Sequence, residues 1–386
     1  MSAPDLYPVP TIAAAFSEVV DPRDGPAMKH QLLDILTIAI CAILCGEDDW
    51  VGVEEWAEIR EAELTAWLGL EHGVPSHDTF GRVFAQIDPV QFEAGFYRWV
   101  RESLPDRPAA GVIAIDGKTA RRSGDPQREQ SPLHLVTAYA VEQRLVIGQN
   151  AVGSKANEIT VIPALLERLV LKGQVITIDA MGCQRSFAEQ IVAGGGDYVL
   201  AVKGNQGALL EGVVDTFALA PQDTEVDIVE HQTIDKGHGR LETRTCAVIA
   251  DPAVIAWLNP AQQWPGLQSI IRITATRASA SAPLAVPTTS TRYYISSLPP
   301  DAVRLNQVIR SHWAIENEVH WVLDMIYRED SSRVRRGYAQ QNLAVIRKLT
   351  LNLLKSTPNP KKRSLRILRK RAGWSMDILF DMLGLT

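Results

Sequence analysis

The sequence is poor in cysteine and contains no long hydrophobic run. Its four cysteines lack the spacing of zinc ligands, and Cys41 and Cys45 lie one helical turn apart in an apolar segment, as small core residues of a reducing compartment do. That segment, Leu32–Cys45, contains Asp34 and is shorter than the roughly 18 residues of a membrane span. No secretory signal precedes it. The composition therefore predicts a cytoplasmic protein without a membrane helix.

Two common catalytic signatures are also missing. The three glycines at 194–196 are not followed by Gly-Lys-Ser/Thr, so they are predicted to end a helix and not to bind nucleotide phosphates. His312, Glu316 and His320 share one face of a predicted helix, but the His-Glu-x-x-His order of zinc hydrolases is absent. Neither a nucleotide-binding loop nor a zinc hydrolase site is expected.

The net charge of −6 is unusual for a protein that coats DNA, but this average conceals two regions of opposite sign. Residues 1–110 contain 19 acidic and 7 basic side chains, whereas residues 304–372 contain 16 basic and 5 acidic ones. Within the second region, residues 361–371 hold seven bases and no acid. Such an asymmetry predicts one surface for a polyanion and another that meets solvent or protein.

A chain of 386 residues is long enough for two or three domains. Residues 1–108 are predicted to form a helical N-terminal domain. Residues 109–206 and 303–355 alternate strands and helices, which is typical of an α/β fold with helices on the faces of a mixed sheet. Residues 207–302 are predicted to be a β-rich insertion into this core, and residues 356–386 a basic C-terminal tail.

Two short motifs of the same kind lie in the predicted core. Residues 113–116 (Ile-Ala-Ile-Asp) and 176–179 (Ile-Thr-Ile-Asp) are apolar runs that end in aspartate. Such runs are typical of buried parallel strands, and open α/β sheets bind ligands at the carboxyl ends of their strands. If the strands are neighbours, Asp116 and Asp179 lie side by side and require a cation between them to remain ionised together. Either aspartate alone could instead begin a turn or cap a helix.

A third acid is expected to join this pair. Residues 306–327 are predicted to form one helix, with Glu316 near the centre of its apolar face. An unpaired carboxylate there would cost several kcal/mol, so Glu316 should bind a metal ion or a core arginine. Two aspartates and an inward-facing glutamate make an all-oxygen site suited to Mg²⁺ or Mn²⁺. In such sites, two ions about 4 Å apart can assist both the attacking and the leaving oxygen of a phosphoryl transfer.

The order Asp116, Asp179, Glu316 resembles the DDE transposases of bacterial insertion sequences, and more narrowly their H-repeat-associated type. Further segments carry the resemblance from about residue 21 to the end of the chain: 75–80 (Pro-Ser-His-Asp-Thr-Phe), 116–119 (Asp-Gly-Lys-Thr), 155–159 (Lys-Ala-Asn-Glu-Ile), 203–206 (Lys-Gly-Asn-Gln), 238–240 (His-Gly-Arg), 293–297 (Tyr-Tyr-Ile-Ser-Ser), 312–317 (His-Trp-Ala-Ile-Glu-Asn) and 320–324 (His-Trp-Val-Leu-Asp). The resemblance implies a ribonuclease-H-like core whose first and fourth strands are parallel neighbours. It also implies Mg²⁺ dependence, cleavage and strand transfer on double-stranded DNA, and a homodimer on that DNA.

The sequence departs from related insertion-sequence transposases around the glutamate. Those proteins carry tyrosine, arginine and lysine in a Y-x2-R-x3-E-x6-K pattern, and the corresponding positions here are Ile309, His312 and Leu323. Arg310 is the candidate to replace the missing arginine.

Other polar residues are candidates for DNA contacts, and each has a structural alternative. Lys203 and Asn205 follow a predicted strand, where they could contact phosphate or simply form a turn. Arg240 and Arg244 lie on the same side of a predicted strand and could follow a DNA backbone or belong to a solvated face.

The basic tail, which begins with Lys361, Lys362 and Arg363, is expected to bind DNA phosphates without reading sequence. Its bases could instead pair with the acidic N-terminal domain. For the whole protein, two alternatives stay open: a metal-dependent nuclease of the same fold, and a DNA-binding remnant that no longer cuts. Retention of all three acids disfavours the remnant.

Overall fold

The computed structural model of the protein describes residues 11–25, 28–103, 111–125, 127, 129–153, 156–222, 226–237, 239–279 and 286–385. The predicted domain boundary at residue 108 lies outside these ranges, as do Lys155 and His238.

The described N-terminal part is helical, as predicted. Its helices are α1 (Ile12–Phe16), α2 (Leu32–Cys45), α3 (Trp50–Ile59), α4 (Glu61–Leu68), α5 (His77–Gln86) and α6 (Pro89–Ser103). Helix α2 is apolar on every side because it lies at the centre of this group, with almost all of its residues buried. It ends at Gly46, whose φ of 125° favours glycine. Asp49 then starts α3 by accepting a hydrogen bond from the Gly52 amide at 2.9 Å.

The strands of the described residues form one mixed sheet. They are β1 (Gly111–Thr119), β2 (His134–Ala140), β3 (Leu145–Val152), β4 (Gln174–Ile178), β5 (Asp197–Val202), β6 (Ile228–Gly237), β7 (Arg240–Ile249), β8 (Ser269–Ser279) and β9 (Thr288–Ser296). Their order is β3-β2-β1-β4-β5-β9-β8-β7-β6, with β1, β4 and β5 parallel to one another and each other pair antiparallel.

The two Ile-x-Ile-Asp motifs lie on adjacent strands. Strands β1 and β4 are parallel neighbours, and Ile115 pairs with Ile178 across them. Asp116 and Asp179 therefore follow paired residues, which meets the condition under which the two motifs place them side by side. Strand β1 continues to Thr119, so Asp116 lies within a strand that also pairs with β2.

Strands β6 to β9 lie in the region predicted to be a β-rich insertion. They do not form a sheet of their own, because β9 pairs with β5 along residues 199–202. This region also contains α9 (Gly207–Leu219) and α10 (Pro252–Leu258). The hydrogen-bonded ladder thus runs without a break from the aspartate strands to β6.

Helices cover both faces of the sheet. Val112, Val175 and Val199 face α11 (Ala302–Ser311), whereas Ile113 and Ile176 belong to the opposite core. The second core also includes α7 (Glu158–Glu167), α8 (Arg185–Ala193) and α13 (Ala339–Ser356). Helix α13 is buried along nearly its whole length and packs between the N-terminal helices and β3.

The prediction of one helix over residues 306–327 is wrong. Helix α11 ends at Ser311, a π-helical turn spans Glu316–His320, and α12 covers Trp321–Met325. A π-turn contains an extra residue, so the 3.6-residue periodicity that predicted the facing of Glu316 does not continue through it. Single π-turns inside helices are frequent at functional sites.

The predicted basic tail is also structured. It contains α14 (Leu365–Trp374) and α15 (Met376–Met382), with Leu368 and Ala372 buried against the rest of the protein. In the described ranges, no helix is both long enough and apolar enough to span a membrane.

Candidate active site

Asp116, Asp179 and Glu316 line one pocket of about 190 Å³. The two aspartates come from β1 and from the end of β4, and the glutamate comes from the π-helical turn. Lys203 and Arg292 add two basic side chains to the same pocket. The fold therefore brings together the three acids that the sequence singles out.

Asp116 carries the most perturbed of these carboxyl groups. Its side chain is 18% exposed, and burial is the main reason why its pKa rises from 3.8 to about 7. The negative charge of Asp179 raises the pKa further, and Glu158 and Glu316 act in the same direction. Nδ1 of His320 lies 3.4 Å from the Asp116 carboxylate. Burial lowers the pKa of His320 to about 3, so its ring is neutral at pH 7 and does not offset this repulsion.

Asp179 has a second, structural task. One carboxylate oxygen accepts hydrogen bonds from the amides of Met181 and Gly182, at 3.0 and 3.4 Å. Asp179 thus caps the short turn that follows β4. Burial raises the pKa of Asp179, the charge of Glu158 raises it further, and Lys203 lowers it.

Asn205, a predicted DNA contact, supports this turn. Its side-chain amide donates to the carbonyl oxygen of Ala180 at 2.6 Å, and Gln206 donates to that of Cys183 at 2.8 Å. Both amides thereby hold the backbone that follows Asp179. Asn205 is therefore engaged within the protein, whereas Lys203 is exposed at the pocket.

Glu158 is an acid of this site to which the sequence analysis assigned no role. It begins α7, and its carboxylate accepts a hydrogen bond from Nε2 of His134 at 2.8 Å. Nδ1 of the same ring lies 2.7 Å from the Thr119 hydroxyl. A Cβ atom on Gly117 would lie 2.1 Å from Oε1 of Glu158, so a larger residue after Asp116 would push this carboxylate aside. Glu158 lies in the 155–159 segment that carries the family resemblance, but this segment alone does not predict that Glu158 lies beside β1.

Glu316 does not occupy the buried position that was predicted. Its side chain is exposed, because the break after α11 and the π-turn change its facing. It still lines the pocket and contributes to the raised pKa of Asp116. Within the described ranges, no three His, Cys, Asp or Glu side chains are grouped closely enough to hold a metal ion together.

His312 occupies the position of the arginine in the related pattern, but it is not a source of positive charge. Its ring lies 3.0 Å from the Thr177 hydroxyl, and burial lowers its pKa to about 4. Arg292 of β9, which the sequence analysis missed, stacks over the ring of Trp313 at 4.9 Å and lines the pocket. Its distance from the glutamate in sequence concealed this role.

The predicted arginine contacts on the sheet are mostly engaged within the protein. Arg244 is buried and lies 2.9 Å from Glu242. Arg310 lies 2.5 Å from Asp235 of β6. Arg240 and Arg310 are exposed, and of these two Arg310 is engaged by its ion pair. The position of Arg244 argues against a phosphate contact.

The first bases of the C-terminal region differ in exposure. Lys361 and Lys362 are exposed, whereas Arg363 is half-buried and its amide donates to Asn359 at 2.8 Å. Further along, Arg369 is 4% exposed and lies 3.0 Å from Asp48. The alternative in which the tail pairs with the acidic N-terminal region is confirmed for Arg369.

Comparison with known proteins gives consistent matches along the chain. A family model described as DDE_Tnp_1-associated matches residues 13–100, and the transposase DDE domain matches residues 107–353. The H repeat-associated putative transposase YhhI of Escherichia coli (strain K12) is 37% identical over 361 residues, covering 92% of this chain and 93% of that protein. The putative transposase YncI of Escherichia coli O157:H7 is 38% identical over 346 residues, covering 89% and 87%.

A solved structure of the piggyBac transposase synaptic complex with hairpin DNA aligns with a TM-score of 0.40 at 11% identity, covering 97% of this chain and 77% of that one. The family matches rest on the sequence, and they include the strands that carry both aspartates and the turn that carries the glutamate. The chain belongs to the DDE transposase family and is similar to its H-repeat-associated members.

Proposed function

We propose that the protein cuts DNA at the ends of an insertion sequence and joins those ends to target DNA. The observation that carries this proposal is the placement of Asp116 and Asp179 after paired residues of two parallel strands, in a member of the DDE transposase family. The strand order β3-β2-β1-β4-β5 supports assigning this half of the sheet to a ribonuclease-H-like core. Strands β6 to β9 would then be the insertion into that core.

The carboxylates fit a hard divalent cation such as Mg²⁺ or Mn²⁺. Their donors are all oxygen, and the pKa values of Asp116 and Asp179 are raised first by burial and then by the charge of neighbouring carboxylates. Asp116 and Asp179 would hold the ion, and Glu316, which lines the same pocket, would add a third carboxylate. Such an ion, when bound, assists the attacking and leaving oxygens of an in-line phosphoryl transfer.

The surrounding side chains have distinct tasks in this proposal. Lys203 and Arg292 bind the phosphate that is to be cut, because they are the basic groups lining the pocket. Neutral His320 orients the Asp116 carboxylate, and Asn205 holds the turn that carries Asp179. Glu158 adds a fourth negative charge on the side of Gly117.

The proposal is tested with Asp116→Asn, Asp179→Asn and Glu316→Gln on duplexes that carry the terminal repeats flanking the gene. Each variant should lose cleavage in Mg²⁺ by at least a hundredfold, yet bind the same duplex in EDTA with nearly unchanged affinity. Glu189→Gln, an exposed acid on α8, is the matched control and should cut normally. Cleavage at the wild-type rate in any of the three variants would remove that residue from the site.

The same reaction separates the alternatives. A transposase yields products in which the repeat ends are joined to a second duplex, whereas a plain nuclease yields only cut DNA. A DNA-binding remnant binds the repeats and cuts nothing. The expected homodimer on DNA is checked by light scattering of the complex.

A further inference from the structure

A second concave surface lies between the N-terminal helices and the loop at residues 328–336. This arginine groove has a volume of about 660 Å³. Its charged lining consists of five arginines, three aspartates and a histidine: Arg82, Arg328, Arg333, Arg335, Arg336, Asp48, Asp49, Asp78 and His77. Four of the arginines come from the one short loop.

The aspartates do not neutralise the groove, because five arginines face three aspartates there. Asp48 lies 3.0 Å from Arg369, which is outside the groove, and 4.0 Å from Arg328 inside it. The carboxylate of Asp49 caps α3 by accepting from the Gly52 amide. The groove therefore carries an excess of positive charge.

Two of the groove arginines, Arg333 and Arg336, are free to bind a ligand, whereas a third, Arg335, is engaged by the protein. Arg335 is held in place, since its Nε donates to the Arg122 carbonyl at 3.1 Å and its guanidinium lies 3.9 Å from Asp125. Arg333 and Arg336 are exposed, and neither forms an ion pair with any residue that the structure describes. Arg244 and Arg310, in contrast, each form an ion pair within the protein.

Ion pairs connect the arginine loop to β1, the strand that carries Asp116. Lys118 of β1 lies 2.7 Å from Asp324 and 3.2 Å from Asp330, at the start of the arginine loop. Arg121, just beyond the strand, lies 3.3 Å from the same Asp330. Because a strand rises about 3.3 Å per residue, Lys118 is only about 7 Å along β1 from Asp116. DNA that extends from the pocket in this direction meets the arginine loop.

We propose that the arginine groove binds the phosphate backbone of duplex DNA beside the bond that is cut. This inference rests on the proposed function and adds a surface to it. Guanidinium groups match phosphate oxygens in a two-bond geometry, and duplex DNA presents one charge per roughly 1.7 Å of axis. Arg333 and Arg336 provide the contacts, and Arg335 holds the loop in place. Contacts to phosphate position the duplex without reading its sequence.

The test compares Arg333→Gln/Arg336→Gln with a control of equal charge change, Arg101→Gln/Lys172→Gln. The control residues are exposed and do not line the groove. Affinity for a 40-base-pair random duplex is measured in EDTA across a range of salt concentrations. Each lost phosphate contact removes about 0.9 from the slope of log K against log salt, so the groove variant should lose roughly two units. Its affinity at low salt should fall at least tenfold relative to the control.

Equal slopes for the two double variants would overturn the groove assignment. If the wild-type protein still binds DNA in that case, the proposed function stands. If the wild-type protein fails to bind DNA, the proposed function and the groove fail together. Circular dichroism checks that both variants are folded.

A second measurement locates the DNA directly. All four native cysteines are buried, so a photoreactive label directs itself to an introduced thiol. Ser331→Cys places the label at the groove, and Glu102→Cys places it at an exposed position near the end of α6. Crosslinking to duplex DNA from position 331 but not from 102 is expected. Equal crosslinking from both positions would contradict the proposal.

Discussion

The guanidinium of Arg369 lies 3.0 Å from the carboxylate of Asp48, which joins the C-terminal helix α14 to the end of α2. The same guanidinium donates to the carbonyl oxygens of Ile43 at 2.7 Å and Ile326 at 2.6 Å. It also stacks over the ring of Tyr327, 4.1 Å from the centroid. The most basic stretch of the chain is therefore anchored inside the molecule through one of its own arginines.

Arg369→Ala should lower the free energy of unfolding by about 3 kcal/mol, because it leaves Asp48 and buried carbonyl groups without their donor. Urea denaturation measures this change. Lys370→Ala is the control, since Lys370 is exposed and its loss should change stability by no more than about 0.5 kcal/mol. If both substitutions change the free energy of unfolding equally, the buried contacts of Arg369 do not contribute to stability.

The exposed bases of the same region offer a cleaner test of DNA binding than truncation does. Truncation after Thr357 removes Leu368 and Leu379 from the core and would unfold part of the protein. Lys361→Gln/Lys362→Gln/Arg366→Gln instead removes exposed charge only. If the tail binds phosphates, the salt dependence of DNA binding should flatten by up to about 2.7 units. An unchanged slope with unchanged stability would end the DNA role of the tail.

Strand positions followed from the sequence far better than strand partners did. Alternating and β-branched patterns are local, so the β-rich character of residues 207–302, which contain β6 to β9, could be predicted. Their pairing with β5 through β9 could not, because nothing in Thr288–Ser296 records which distant edge it will join. The same limit explains Arg244, whose side of the strand was predictable but whose burial depends on neighbours from elsewhere in the chain.

Asp116 should make metal binding depend on pH. In the metal-free protein its pKa is about 7, so roughly half of this carboxyl is protonated at pH 7, and a cation that needs the carboxylate releases that proton. Calorimetric titration with MgCl₂ in phosphate and in Tris should reveal up to about half a proton released from this group at pH 7 and almost none at pH 9. The Asp116→Asn variant should lose the part of this proton release that comes from Asp116. Identical heats in the two buffers at pH 7 would contradict the raised pKa.

The same group affects stability with a definite sign. Its folded pKa exceeds the ordinary value of 3.8, so protonation favours the folded, metal-free protein. This contribution is complete below pH 3.8 and is lost as the pH rises through about 7. Added Mg²⁺ should therefore raise the melting temperature more at pH 8 than at pH 5.

Glu158→Gln should lower the pKa of both Asp116 and Asp179, since the charge of Glu158 raises both. Proton release on metal binding at pH 7 should shrink accordingly. Gly117→Ala should act in the same direction without removing a charge, because its methyl group would displace the Glu158 carboxylate. Carbon-detected NMR titration of the aspartates measures both effects. Unaltered aspartate pKa values in both variants would show that Glu158 is electrostatically silent.

For Glu316, the sequence predicted that the residue belongs to the site but not how its side chain is oriented. The acid and its partners could be identified from residue order, and the pocket contains them. Its facing could not be predicted, because the helical wheel assumes an unbroken α-helix and the π-turn at Glu316–His320 adds a residue. Arg292 escaped notice because its strand joins the pocket only through the pairing of β9 with β5.

The unbroken ladder from β1 to β6 limits how the molecule can move. Helix α11 packs across it, against β1 and β4 on one side and β6 and β7 on the other. A hinge between β5 and β9 would have to break their hydrogen bonds and expose the apolar side of α11. The pairing of β5 with β9 and the packing of α11 therefore hold the two halves of the sheet together as one unit. A change of shape that keeps these hydrogen bonds has to occur outside the sheet, in segments such as the loop at residues 328–336 and the turn that carries Glu316.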